Sequence, residues 1–306
     1  MPERRLVLAA PRSRMRDLAE LVHAWRDAGV RVERSPFDAD VPDLHVLIGV
    51  RDDLDAALVV GPARRAPATV LRAPFALDRR GHRIPVSWLP VTSPAGLRRF
   101  AATAARVHRR DGKGRAVAVL GQWHPRYLRV AERVATLLEH GVPTFRWTSD
   151  VITREGMVEA LGSGLGLGVY IGHGRPVGWV GYHGTRRHHF DAFAGEPLGA
   201  LLSLCCRTAS RRRVGLSYAE AIPLQGVAAA SFGATGDTLH RDNTSWAVGF
   251  CAALASGAST VGELVVRAAP PSPSAVASYR LFGDPLAPLT PAADAVERAM
   301  AVPTYN

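Results

Sequence analysis

The chain has little cysteine, almost no lysine and no apolar run long enough to span a bilayer. Cys205, Cys206 and Cys251 are its three cysteines among 306 residues. Two of them are adjacent, where a disulfide would be strained, so no disulfide framework is expected and a reducing compartment fits best. The opening MPERRLVLAAP carries an apolar stretch too short for a signal-peptide core, and no segment approaches the length of a membrane span. A cytoplasmic protein without a membrane partner is expected. Long Ser, Gln or Gly tracts are also missing. With 47% hydrophobic and 21% charged residues, the composition is that of a globular chain able to bury a substantial core.

What is abundant is arginine. The formal net charge is +11, and Lys113 is the sole lysine. A nucleic-acid footprint would cluster these cations and interleave them with aromatics. Here Arg4-Arg5, Arg79-Arg80, Arg109-Arg110, Arg186-Arg187 and the triplet Arg211 to Arg213 are spread along the chain. A solvated, Arg-rich surface is expected, and no nucleic-acid partner.

The segments alternate. RLVLAA reads as a buried strand, and a helix follows with Met15, Leu18, Leu21, Val22 and Trp25 on one face, closed by Gly29. VRVERS, LHVLIGV and AALVVG are further strand candidates. A helix opens at Thr92 or Ser93 with Pro94 in its first turn, and it ends near Gly112. Residues 1–112 are therefore expected to form an N-terminal α/β subdomain and residues 113–306 a second, larger one. The second begins with the strand AVAVLG, continues through helices at PRYLRVAERVATLLEHG and TREGMVEALGSG, and reaches two apolar strands, LGVYI and LLSLC. Later, Ser217/Glu220 and Thr260/Glu263 carry the capping-box pattern, and PPSPS reads as an exposed loop. The alternation predicts an α/β fold with a mostly parallel sheet between helices, in two subdomains.

LGVYI runs into His173 and LLSLC into the cysteine pair, both just past carboxyl strand ends, where open parallel sheets build their sites. A thiol becomes a good nucleophile beside an imidazole that takes its proton. Gly172 and Gly174 bracket His173 and would let backbone come close to a substrate. The N–H groups of Gly174 and Cys206 would hold a developing oxyanion. Two further readings compete. His183, His188 and His189 with the cysteine pair suggest zinc, but no two of them have ligand spacing, so no metal or cofactor is expected. His183 also belongs to a His-Gly pair and is the alternative base.

The series YIGHG, SLCCRTAS, GVAAASFGATGDTLHRDNTSWAVGFCAALASGASTVGELVVRA and YRLFGDPLAPL resembles the motifs of gingipain-type (C25) cysteine peptidases, and more distantly those of CHAT peptidases. Both belong to the caspase-like group. The resemblance implies the caspase-like three-layer α/β/α fold, with residues 113–306 as the catalytic subdomain, Cys206 as nucleophile and His173 as general base. Strand parity agrees, since only one of Cys205 and Cys206 can face a cleft. Two positions depart from the pattern: Ala209 stands where the family has Gly, a change expected to tighten the loop, and Trp88 stands where an Arg precedes Leu-Pro-Val.

The implied activity is that of a cysteine endopeptidase acting on a protein or peptide, with a dedicated partner protein in view. The alternative is an inactive or acyl-transferring relative that serves as a partner-binding module. By the family's pattern, the loop Gly233–Trp246 with Asp237 and Asp242, and Trp179 as an apolar wall, would contribute to substrate subsites. In members that cut after Arg or Lys, an acidic group at the pocket base would come from the loop after AVAVLG. Here that loop offers Gln122 and His124 but no carboxylate. Cleavage after Arg or Lys is therefore not expected to be preferred, and a neutral or acidic residue should be accepted, unless Asp237 or Asp242 reaches in.

Overall fold

A computed structural model describes residues 3–38, 40–139 and 141–305. The first half runs β1 (Arg4–Pro11), α1 (Ala19–Asp27), β2 (Val30–Phe37), α2 (Leu44–Gly49), β3 (Ala56–Pro62), α3 (Pro67–Val70), β4 (Phe75–Leu77), β5 (Arg83–Val91) and α4 (Pro94–His108). The second continues with β6 (Val117–Gly121), α5 (Pro125–Leu138), β7 (Thr144–Thr148), α6 (Arg154–Ala160), β8 (Leu167–Ile171), β9 (Gly174–Arg175), β10 (Gly178–Trp179), α7 (Gly181–Gly184) and β11 (Thr185–Arg186). It ends with β12 (Leu198–Leu204), α8 (Tyr218–Leu224), β13 (Ala228–Ala234), α9 (His240–Ala255), α10 (Val261–Ala268), α11 (Pro273–Ala277), β14 (Tyr279–Gly283) and α12 (Ala295–Met300).

One sheet crosses the molecule in the order β2-β1-β3-β5-β14-β13-β12-β8-β6-β7, with β4 added on β5. Its neighbours along that path are parallel except β13 and β14. That antiparallel pair, not foreseen in the sequence, reverses the polarity of the sheet. The carboxyl ends of β6, β7, β8, β12 and β13 share one rim, and those of β1, β2, β3 and β5 face the other way. Helices cover both faces. Trp25, Phe100, Val134, Phe250 and Leu264 from α1, α4, α5, α9 and α10 bury against one face. Met157, Ile222 and Ala299 from α6, α8 and α12, with Leu44 and Ile48 from α2, bury against the other.

Several expectations need correction. LHVLIGV was expected to be a strand and is the helix α2: Leu44 and Ile48 are buried while Val46 and Val50 are 64% and 65% exposed, a four-residue spacing that a strand cannot satisfy. Met15 and Leu18 lie in a tight 3-10 turn over Arg12–Leu18, one turn ahead of α1. PPSPS is not wholly a loop, because Ser272 caps α11 by accepting from Ala275 N–H. Of the two capping boxes, that of Ser217 and Glu220 is complete. The other is half formed: Thr260 accepts from Glu263 N–H, but the Glu263 carboxylate turns to Ser259.

The junction between the halves is held by a buried carboxylate at the end of β14. Asp284 accepts from Trp25 Nε1 at 3.2 Å and from Leu286 N–H at 2.9 Å, and lies 2.7 Å from His108 Nε2. It thus ties α1 and α4 to the strand on which sheet polarity reverses.

Candidate active site

Register brings the histidine and cysteine segments together. Ile171 at the end of β8 pairs with Leu204 of β12 on one side and Gly121 of β6 on the other. Adjacent strands lie about 5 Å apart, so His173 and Cys206, each two residues beyond that row, emerge side by side. Gly174 makes the contact intimate. A Cβ there would stand 2.4 Å from the Cys206 carbonyl oxygen and 2.5 Å from Cys205 Sγ. At Gly172 a Cβ would meet the Tyr170 hydroxyl at 2.4 Å. Both glycines are therefore required by the protein's own packing before any substrate arrives.

His173 is held through backbone and ring. Its N–H donates to Gln122 Oε1 at 2.8 Å, and its carbonyl accepts from Tyr170 Oη at 3.0 Å and from Val180 N–H at 3.0 Å. The imidazole lies edge-on to Tyr127, whose hydroxyl is 3.1 Å from Nε2. Tyr127 is 7% exposed, and burial raises the pKa of its phenol, so the hydroxyl keeps its proton.

Cys206 is half-buried and its sulfur faces Thr238, which donates its backbone N–H at 3.4 Å and places Oγ1 at 3.5 Å. Among the described residues no hydrogen bond runs directly between Cys206 Sγ and the His173 ring. Cys205 is fully buried, and burial pushes its thiol well above the usual cysteine range; Cys251, inside α9, is pushed up to about 11.

The loop after β12 is tied to the loop after β13. Arg207 N–H donates to Gly236 O at 2.9 Å, Ala209 N–H to Ala234 O at 2.8 Å, and the Arg207 guanidinium pairs with Asp237. Arg207 has φ +61°, a left-handed conformation uncommon outside glycine. Ala209, in the family's glycine position, keeps an ordinary φ and buries its methyl with Ala219 and Phe282.

Cys206 and His173 line one open cleft of about 560 Å³, together with Gly174, Arg175, Pro176, Val177, Arg207, Arg212, Arg213, Val214 and Asp237. Several expected subsite residues lie elsewhere. Trp179 does not wall this cleft: it is 2% exposed, stacks on Tyr170 at 4.3 Å and donates to Ser203 Oγ at 2.9 Å. Asp242 is not in a loop, because α9 begins at His240 and takes it into its first turn beside Arg241. Gln122 and His183 line a separate cavity of about 300 Å³ with Trp123 and Asp150. Exposed His124 caps α5 by accepting from Arg126 N–H at 3.2 Å. Among the described residues, no three His, Cys, Asp or Glu side chains are grouped so as to hold a metal ion.

Tyr127 and Thr238 escaped the sequence reading. The signal for Tyr127 was its place in HPRY, at the start of a helix on the site-forming rim. Its meeting with His173 needed the adjacency of β6 and β8.

The α/β/α sandwich is the caspase-like fold, and solved structures share it. The Arg-specific cysteine proteinase gingipain R is 14% identical with a TM-score of 0.73, covering 94% of this chain and 78% of that one. The complex of the Porphyromonas gingivalis RgpB pro- and mature domains is also 14% identical, with a TM-score of 0.73 and coverage of 94% and 79%. Separase, in the Saccharomyces cerevisiae separase–securin complex, is 12% identical with a TM-score of 0.51, over 76% of this chain and 15% of that one. No curated protein matches by sequence. The profile of Peptidase family C25 matches residues 84–290, more than half of the chain, and the chain belongs to that family.

Proposed function

We propose that this chain is a cysteine endopeptidase in which Cys206 is the nucleophile and His173 the general base. The reading is carried by the shared register row, which sets both side chains into one cleft. Membership in a peptidase family supports it. The His173 imidazole takes the thiol proton as the sulfur attacks the scissile carbonyl carbon. Charge gathers on the carbonyl oxygen, toward which the N–H groups of Gly174 and Cys206 donate. Collapse of the tetrahedral intermediate breaks the C–N bond, and the imidazolium gives its proton to the departing amine. Water, deprotonated by His173, then hydrolyses the thioester and frees the thiol.

We propose equally that the substrate is a protein or peptide and that the chain engages a dedicated partner protein. Among similar folds, the RgpB mature domain is found in complex with its pro-domain and separase in complex with securin, which supports this reading.

Iodoacetamide tests the nucleophile directly. The Cys251 thiol, pushed up to about 11, is thiolate in only about one molecule in a thousand near pH 8, and burial pushes the Cys205 thiol well above the usual cysteine range and shuts it from solvent. One equivalent of label, at Cys206 by peptide mapping, is the expected result. Equal, slow labelling of all three cysteines would remove the nucleophile assignment.

Tyr127 acts as a positioning residue, holding the imidazole while leaving both proton transfers to it. Tyr127→Phe removes one hydrogen bond to the ring, worth about 1 kcal/mol, so kcat should fall about fivefold to tenfold with KM nearly unchanged. A rise in KM at constant kcat would instead assign Tyr127 to substrate binding.

A further inference from the structure

The cleft holding Cys206 carries four guanidinium groups, from Arg175, Arg207, Arg212 and Arg213, against the single carboxylate of Asp237. That carboxylate is committed to Arg207. Arg175, Arg212 and Arg213 are exposed, and among the described residues their side chains have no carboxylate within ion-pair distance. Elsewhere some surface arginines meet acids, as in Arg4–Glu263, Arg51–Glu33, Arg98–Asp17 and Arg146–Glu132, and others, such as Arg79 and Arg80, have no ion pair among the described residues. What distinguishes the cleft is that three such unpaired guanidinium groups line one cavity beside Cys206.

The backbone imposes the cluster. Arg207 and Arg213 both have φ +61°, and Arg211 between them is anchored by the buried Glu220 and by the Ala63 carbonyl. The loop is thus pinned where Arg212 and Arg213 turn to the cleft rather than extending freely into solvent. Like charges gathered beside a low-dielectric wall repel one another and concentrate a positive field, which an entering anion relieves.

We propose that this cleft binds an anionic side chain of the substrate, a carboxylate or a phosphate, close to the scissile bond, with Arg175, Arg212 and Arg213 as its specificity determinants. This deepens the peptidase reading and rests on it for the bond that is cut. The apolar lining residues are Pro176, Val177 and Val214, and among the described residues no Phe, Tyr or Trp lines the cleft as a platform on which a nucleobase could stack. A peptide suits it better than a nucleic acid.

Short fluorescent peptides that differ only in one residue, Glu, phosphoserine, Gln or Lys, provide the test when titrated into the Cys206→Ala chain, which retains the cleft and cannot turn them over. The Glu or phosphoserine peptide should bind at least about tenfold tighter than the Gln peptide, and the better of the two identifies the source of the anion. In Arg212→Gln/Arg213→Asn that advantage should shrink to about twofold or less. The distal pair Arg79→Gln/Arg80→Gln removes the same charge and should preserve it. The inference is overturned if Gln or Lys peptides bind as well as the anionic ones, if no peptide binds, if the distal pair erases the preference equally, or if an oligothymidylate displaces the Glu peptide more strongly than unlabelled peptide does. Should the preference hold while the wild-type chain cleaves none of the peptides, the ligand class stands and the peptidase reading falls.

Discussion

Cys206→Ala and His173→Ala are each expected to reduce peptide hydrolysis by a factor on the order of a thousand or more, because neither sulfur attack nor proton transfer has a substitute in the cleft. Neither change should unfold the chain. Cys206 is half-buried, Thr238 is the hydrogen-bond partner of its sulfur among the described residues, and His173 is exposed. The Cys205→Ala control separates nucleophile from neighbour: its side chain is 0% exposed, so truncation should cost about 1–2 kcal/mol in stability and leave turnover within a few-fold. Steady-state kinetics with a urea melt on all three variants decides the matter. Loss of activity in Cys205→Ala with retention in Cys206→Ala would shift the nucleophile by one residue and sink the assignment.

The largest stability effect is expected at Glu220, which is 0% exposed and receives five donors. Arg211 Nε donates at 2.8 Å with a second guanidinium nitrogen beside it, Ser217 donates N–H at 3.0 Å and Oγ–H at 2.7 Å, and Trp88 Nε1 donates at 3.3 Å. Glu220→Ala leaves the Arg211 charge, itself 11% exposed, without its partner. Removing one member of a buried pair costs about 3–5 kcal/mol, so the urea midpoint should drop sharply with little change in slope. Glu220→Gln keeps shape and several hydrogen bonds and should lose less. A loss below about 1 kcal/mol for Glu220→Ala would show that the network is solvated rather than buried. The same network explains Trp88: its indole needs the Glu220 carboxylate at one end, and at the other it needs Gly61, where a Cβ would come within 2.5 Å of the ring.

Periodicity is local, and what it could specify it specified. Strands such as Val117–Gly121 and Leu198–Leu204 are buried throughout, as continuous apolar runs demand, and Ser93 and Ser217 cap the helices their sequence patterns announce. The exception, Leu44–Gly49, is an apolar run too short for its period to distinguish helix from strand. The candidate pair was legible because each residue ends such a run; strand parity allows only one of Cys205 and Cys206 to face the cleft, and the resemblance points to Cys206.

Strand order was not legible, because it is settled by contacts between segments far apart in sequence. The insertion of β14 between β13 and β5 turns the first half's carboxyl ends away from the site, and the adjacency of β6 and β8 delivers Tyr127 to His173. Trp179 reads as a wall in sequence and is core in space, since Tyr170 and Ser203 from two neighbouring strands enclose it. The arginine triplet shows the same division. Its composition determines that positive charge must be solvated somewhere, whereas the anchoring of Arg211 on Glu220 and the left-handed turn at Arg213 decide that the charge faces the cleft of Cys206.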